Sequence, residues 1–211
     1  MLLMQIESGN FEAANNLYCK FSFTQGNDWT VVVGNSGVTG GLSQIAQRGA
    51  TGFGTADDGS VVWNFPIDVV YKATNAYGWP RIAITVYGVD ALGRDVAYGY
   101  GSMMIPTQPG QYEREIDMYA PMPASFVQRL INNVLGTHPE YFDSNFVAQG
   151  SNREVTRVHA TGSVKLSLHI ATKDMLRFGY VPASTPMGSN GLNFSTNTLD
   201  GPRGMGRQEA M

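Results

Sequence analysis

Few side chains in this sequence could do chemistry. His138, His159, His169 and Cys19 are the only imidazoles and the only thiol in 211 residues. A catalytic triad or metal centre needs two such groups to converge with a carboxylate or thiolate. No HxxH or HExxH spacing occurs, and no serine sits in a GxSxG elbow. His138 stands in a turn beside Pro139, His159 just follows the string REVTRV, and His169 falls on the polar side of an alternating pattern. All three read as surface or structural histidines. Cys19 belongs to the apolar row Leu17, Cys19, Phe21, Phe23, which predicts a buried thiol that packs as a small hydrophobe. Two Gly-rich runs, GNSGVTGG and GATGFGTADDG, could cradle a phosphate only at the start of a helix. No helical pattern follows either run and neither carries the Lys-Ser/Thr of a P-loop, so both read as surface loops. Arg153, Arg157 and Lys165 could share a basic strand face, with Lys173 and Arg177 further on. Such a face would meet phosphoinositides weakly, at about 1 kcal/mol per cation. Stable anchoring needs a second signal, which favours a solvated or partner-facing row.

The composition narrows the classes further. The net charge of −3 gives no field that would recruit nucleic acid or an anionic membrane, and no RNP-like pattern is present. A single cysteine forbids an internal disulfide and suits a reducing compartment. The first residues, MLLMQIESGN, lack the basic and apolar regions of a signal peptide, and no run reaches the roughly 20 apolar residues of a membrane span. The expectation is a soluble intracellular protein without cofactor. Charged residues make up only 15% while glycines number 25, a balance that favours strands joined by tight turns.

The elements that must position these residues are mostly strands. Period-two alternation marks strands over 2–6, 17–23, 67–72, 81–87, 96–105, 111–118 and 164–171, with β-branched residues marking another at 29–33 and a short one at 42–47. The stretch 63–101 is the frame, with Trp63, Phe65, Ile82, Ile84 and Val86 as its core. Pro66 there marks an edge or a break, because it cannot donate to a ladder. Glu113, Glu115 and Asp117 form a charged row that reads as a solvated face or a protected edge. One helix is predicted over 123–136. Phe126, Leu130 and Val134 lie beside Val127, Ile131 and Leu135 in an apolar stripe, between Pro123 and Gly136. Beyond Tyr180 no period survives, so residues 1–180 read as one domain and 181–211 as a Gly/Ser/Asn/Pro-rich tail, disordered in isolation. The fold class is all-β, an antiparallel sandwich with one inserted helix.

The strings WNFPID, NAYGWP and REVTRV, in that order, with LYCKFSF, GNDW, HPEYFD and TKDMLRFGY, closely resemble the B9 domain family over 2–180. That family is a divergent C2-type β-sandwich of ciliary proteins. The resemblance implies a C2-like antiparallel β-sandwich and a non-enzymatic scaffold in a complex of the Meckel syndrome/tectonic type. That complex sits at the transition zone by the ciliary basal body, in cytoplasm and cytoskeleton, and serves cilium assembly and the gating of membrane proteins. It also implies partners: other B9-domain proteins and membrane proteins of the same zone. A peripheral, calcium-independent phospholipid-binding module is the alternative.

Many C2 domains hold calcium through clustered Asp side chains on loops at one end, since calcium requires several oxygen ligands. The segment 88–95 resembles one such loop, but only Asp90 and Asp95 remain there, as remnants. The segment 74–80 has no carboxylate, and Asp57 and Asp58 alone cannot rebuild a site. The expectation is therefore no metal.

Overall fold

A computed structural model of the chain describes residues 1–11, 15–34, 40–49, 60–89, 93–122, 141, 144–148, 157–175, 177 and 179–180. Nine strands follow in order: β1 Leu2–Phe11, β2 Leu17–Thr24, β3 Trp29–Gly34, β4 Gly40–Leu42, β5 Ser60–Ala73, β6 Arg81–Val89, β7 Asp95–Met104, β8 Gly110–Pro121 and β9 Val158–Ile170. One short helix, α1, spans Ser144–Ala148 between β8 and β9. The strands form one antiparallel sheet in the order β3-β5-β1-β9-β8-β7-β6-β2-β4.

The sheet curls into two layers because β7 and β8 share a single residue pair, Tyr100 with Tyr119. On one side lie β3, β5, β1, β9 and β8; on the other lie β7, β6, β2 and β4. The facing apolar rows meet between them. Leu2, Met4 and Ile6 from β1 join Trp63, Ile67 and Val69 from β5, and Val164, Leu166 and Leu168 from β9. Opposite them are Leu17, Cys19, Phe21 and Phe23 from β2 with Ile82, Ile84 and Val86 from β6. Each such side chain stabilises the fold by about 1.5–3 kcal/mol when fully buried. The rings of Phe21 and Phe65, 5.9 Å apart, join the layers. The far ends of the curl are stitched as well, since Arg48 bridges to Val61 and the Gln44 amide donates to the Trp63 carbonyl at 2.6 Å.

Local departures from simple alternation have definite causes. In β1 the pairing passes from Ile6–Leu166 to Ser8–Lys165, so two β1 residues oppose one of β9. This bulge switches the inward set from Leu2, Met4 and Ile6 to Gly9 and Phe11, and carries the strand past the predicted end at residue 6. Pro66 does not break β5; it pairs with Gln5 of β1 where β3, which reaches only Val69–Ala73, leaves the other flank uncovered. The strand expected at 42–47 is shorter and earlier, Gly40–Leu42, followed by isolated bridges at Ala46 and Arg48. Of the predicted core, Trp63, Ile82, Ile84 and Val86 are buried, and Phe65 is half-buried against the same cluster.

The expected helix at 123–136 lies outside the described residues. The helix α1 carries no helical period long enough to read, and five residues do not hold a helix by themselves. Tertiary bonds hold it. The Ser102 hydroxyl donates to the Val147 carbonyl at 2.9 Å, and the Arg81 guanidinium to the Ala148 carbonyl at 2.8 Å. A cation at a helix C-terminus satisfies orphan carbonyls. Val147 joins Ala97 and Tyr100 in a second small core, where the Tyr141 ring meets Tyr100 edge-on at 4.9 Å. With that cover on its outer face, β6 is buried on both sides, Ala83 and Thr85 included.

Candidate functional site

The two segments expected to form one C2-type calcium end, 74–80 and 88–95, do not lie at one end: 74–80 precedes Arg81 at the start of β6, and Val89 closes that strand. At about 3.3 Å per residue the two ends of β6 are ~26 Å apart, so the two segments do not share an ion. Asp90 lies outside the described residues, and Asp95 is exposed at the start of β7, paired with Val89. Among the described residues no three His, Cys, Asp or Glu side chains converge on a point.

The loop 74–80 is bonded to the turn before β3. Gly78, at φ +73°, lies against the backbone of Gly26, whose N–H donates to the Gly78 carbonyl at 2.8 Å. The Trp29 indole N–H donates to the Tyr77 carbonyl at 3.0 Å, and the Asn75 side chain accepts the Tyr77 N–H. The Trp29 ring meets Trp79 edge-on at 4.7 Å and Tyr71 at 6.1 Å. Burial pushes the Tyr71 phenol well above its ordinary pKa.

Of the expected basic row, Arg157 and Lys165 can be placed, and they do not meet. Arg153 lies outside the described residues. Arg157 is exposed just before β9, and Lys165 lies eight residues along, ~26 Å away on an extended strand. Lys165 is flanked by carboxylates on both neighbouring strands, Glu7 at 3.4 Å and Glu113 at 3.6 Å. These charges raise its pKa, with Glu7 the larger cause, and answer the cation that a lipid phosphate would need. The ion pair is invisible in sequence because it joins three strands distant along the chain.

The remaining reactive groups are separate too. His159 and His169, both exposed, stand ten residues apart on β9, ~33 Å along the strand. His138 lies outside the described residues. Cys19 is fully buried, and burial pushes its thiol far above the usual range. Its backbone N–H donates to the Ser43 hydroxyl at 2.8 Å, which makes the residue a packing and ladder element.

What this arrangement offers is surface. The outer face of β8 carries Glu113, Glu115 and Asp117, all exposed. Of the two readings of this row, the solvated face holds, since its side chains are outward and exposed. The edge itself is open, because β8 pairs with β9 along 110–121 but with β7 only at Tyr119.

Comparison with known proteins places the chain in a family. The family model described as "Ciliary basal body-associated, B9 protein" matches residues 1–171. Over 181 residues the chain is 44% identical to B9 domain-containing protein 1 of Xenopus laevis, covering 86% of this chain and 87% of that one. It is 43% identical to the Homo sapiens protein of that name, over 83% and 82% of the two chains. B9 domain-containing protein 2 of Danio rerio is 28% identical over 78% and 88%. A C2 domain of plant extended synaptotagmin 1 superposes with a TM-score of 0.37 at 6% identity, over 81% of this chain and 95% of that domain. The alternating strands, the two-layered sheet and the match across most of the chain lead to one assignment: this protein belongs to the B9-C2 family of ciliary basal body-associated proteins.

Proposed function

We propose that the chain is a non-enzymatic scaffold subunit. It joins other B9-domain proteins and membrane proteins in an assembly at the ciliary transition zone, and serves cilium assembly and the gating of membrane proteins into the cilium. The observation that carries this reading is a sandwich whose inner faces are given over to packing. Its described histidines and its thiol are either far apart or buried. Membership in a ciliary basal body-associated family supports the setting. Within this reading residues 1–180 form the assembling domain, and 181–211 a tail that acquires order on a partner. The lipid alternative is disfavoured by the pairing of Lys165 with Glu7 and Glu113.

Depletion in a ciliated cell line tests the role. Loss of the chain reduces the number of cilia and lets excluded membrane proteins enter those that form; restoration by the full chain reverses both. Unchanged cilia with unchanged membrane composition after complete depletion would overturn the proposal. A second expectation concerns metal. Titration with millimolar calcium in a calorimeter yields no saturable heat and leaves thermal stability unchanged, since the segment 74–80 carries no carboxylate and no three carboxylate, imidazole or thiol groups converge among the described residues. Saturable binding of more than one ion would contradict it.

A further inference from the structure

The longest uncovered strand edge in the described structure belongs to β8. Its residues 110–118 pair with β9 alone; Gly101 of β7 still packs on 116–118, and no strand pairs with the other flank over 110–115. The other edges are poorer templates. The strand β4 has three residues, β3 carries a register shift between Val31 and Val33, and the flank of β5 that β3 leaves uncovered contains Pro66. Shortness and bulges are devices that blunt an edge. Along β8 the register with β9 is regular from Gly110 to Met118.

The free backbone groups have a definite direction. A Cβ placed on Gly101 of β7 would stand 3.3 Å from the Asp117 carbonyl oxygen, so Asp117 directs its backbone groups toward β7 and away from β9. A residue's N–H and C=O share a flank, and successive residues alternate. Gln111, Glu113 and Glu115 therefore direct N–H and C=O to the open flank, while Tyr112, Arg114 and Ile116 bond to β9. Arg114 is exposed and lies over the Tyr112 ring at 5.4 Å.

The side chains state what can pair there. Glu113, Glu115 and Asp117 stand on the outward face, and among the described residues the ion pair of this row is that of Glu113 with Lys165. A second copy of β8 laid alongside would set this row against itself, and like charges directly opposite are destabilising. An anionic lipid surface meets the same repulsion. We infer that the open flank of β8 takes an extended segment of a protein partner as an added strand, one carrying Lys or Arg at alternate positions on the face beside Glu113, Glu115 and Asp117. Backbone bonds then supply attachment and the alternate charges supply choice. The inference rests on the reading of the chain as a partner-holding subunit and names one surface for that role.

The test is amide exchange by NMR on the full chain. In the free protein the amides of Gln111, Glu113 and Glu115 exchange fast and those of Tyr112, Arg114 and Ile116 slowly. A synthetic peptide alternating Lys with Val slows the first set, whereas one alternating Glu with Val leaves all unchanged. Triple reversal, Glu113→Lys with Glu115→Lys and Asp117→Lys, weakens the Lys peptide about tenfold or more. These positions are exposed, so the thermal transition checks that the fold survives. Glu115→Pro removes an edge N–H, spares the β9 ladder, and abolishes the protection. If the Lys peptide protects none of the three amides, or protects them equally in the reversed variant, the edge proposal is overturned. A parallel titration with a second B9-family chain separates the two readings. Binding that ignores every β8 variant overturns the edge and keeps the scaffold; a responsive edge with no affinity for that chain does the reverse.

Discussion

Trp63→Ala lowers the stability of the chain by about 3–5 kcal/mol, the range for removing a large buried aromatic. For a chain of this size that moves the thermal midpoint down by roughly 6–20 °C. The size follows from three roles in one side chain. Trp63 is 3% exposed in the main core. Its indole N–H crosses between the layers to the Leu17 carbonyl at 3.0 Å. Its ring also occupies the space beside Gly9, where a Cβ would stand 2.6 Å from it. Trp63→Phe separates the contributions: it keeps most of the packing and removes one of two donors to the Leu17 carbonyl, which retains the Ala46 N–H at 2.8 Å, so the lost bond costs about 0.5–1.5 kcal/mol. Denaturant unfolding of both variants is the measurement. A loss below about 1 kcal/mol for the alanine variant would mean that the layers are not joined through this residue.

Gly78→Ala costs about 2–4 kcal/mol by two additive causes. A left-handed backbone costs a non-glycine residue about 1–2 kcal/mol. The new Cβ would also stand 2.5 Å from the Gly26 Cα, and backbone cannot turn aside as a side chain can. The control is built into the molecule. Gly93 has nearly the same φ, +75°, but no atom within 4 Å of its Cβ position. Gly93→Ala carries the conformational penalty alone, about 1–2 kcal/mol. The difference between the two variants therefore measures the contact between the 74–80 loop and the Gly26 turn. Equal losses would show that the loop yields, and that Tyr77, 82% exposed at its tip, is not held rigidly.

These two sites show what a sequence discloses and what it does not. Half-buried strands announce themselves, so the rows Leu17–Cys19–Phe21–Phe23 and Val164–Leu166–Leu168–Ile170 lie inward as their alternation requires. The continuation of β1 to Phe11 is hidden, because a bulge at Glu7–Ser8 reverses the parity that alternation depends on. The helix α1 is hidden for a different reason. Its five residues depend on Ser102 and Arg81, more than forty positions away in sequence. That same cover buries Ala83 and Thr85, which alternation alone would leave outside. For the site, the scarcity of carboxylates near the β6 loops is legible in the sequence. The fate of Lys165 is not, since Glu7 and Glu113 reach it only through strand pairing. The acidic row on β8 is visible as a row, and its edge becomes definite only because β7 leaves it after one pair.

The central claim is that this chain holds partners. Its most direct test is reconstitution of the full chain with two other B9-domain proteins by co-expression, followed by size-exclusion chromatography with light scattering. The account predicts one co-eluting species of defined stoichiometry whose unfolding midpoint exceeds that of each separate chain, because binding to the folded state stabilises it. Three species eluting separately, each with the midpoint it shows alone, would contradict it.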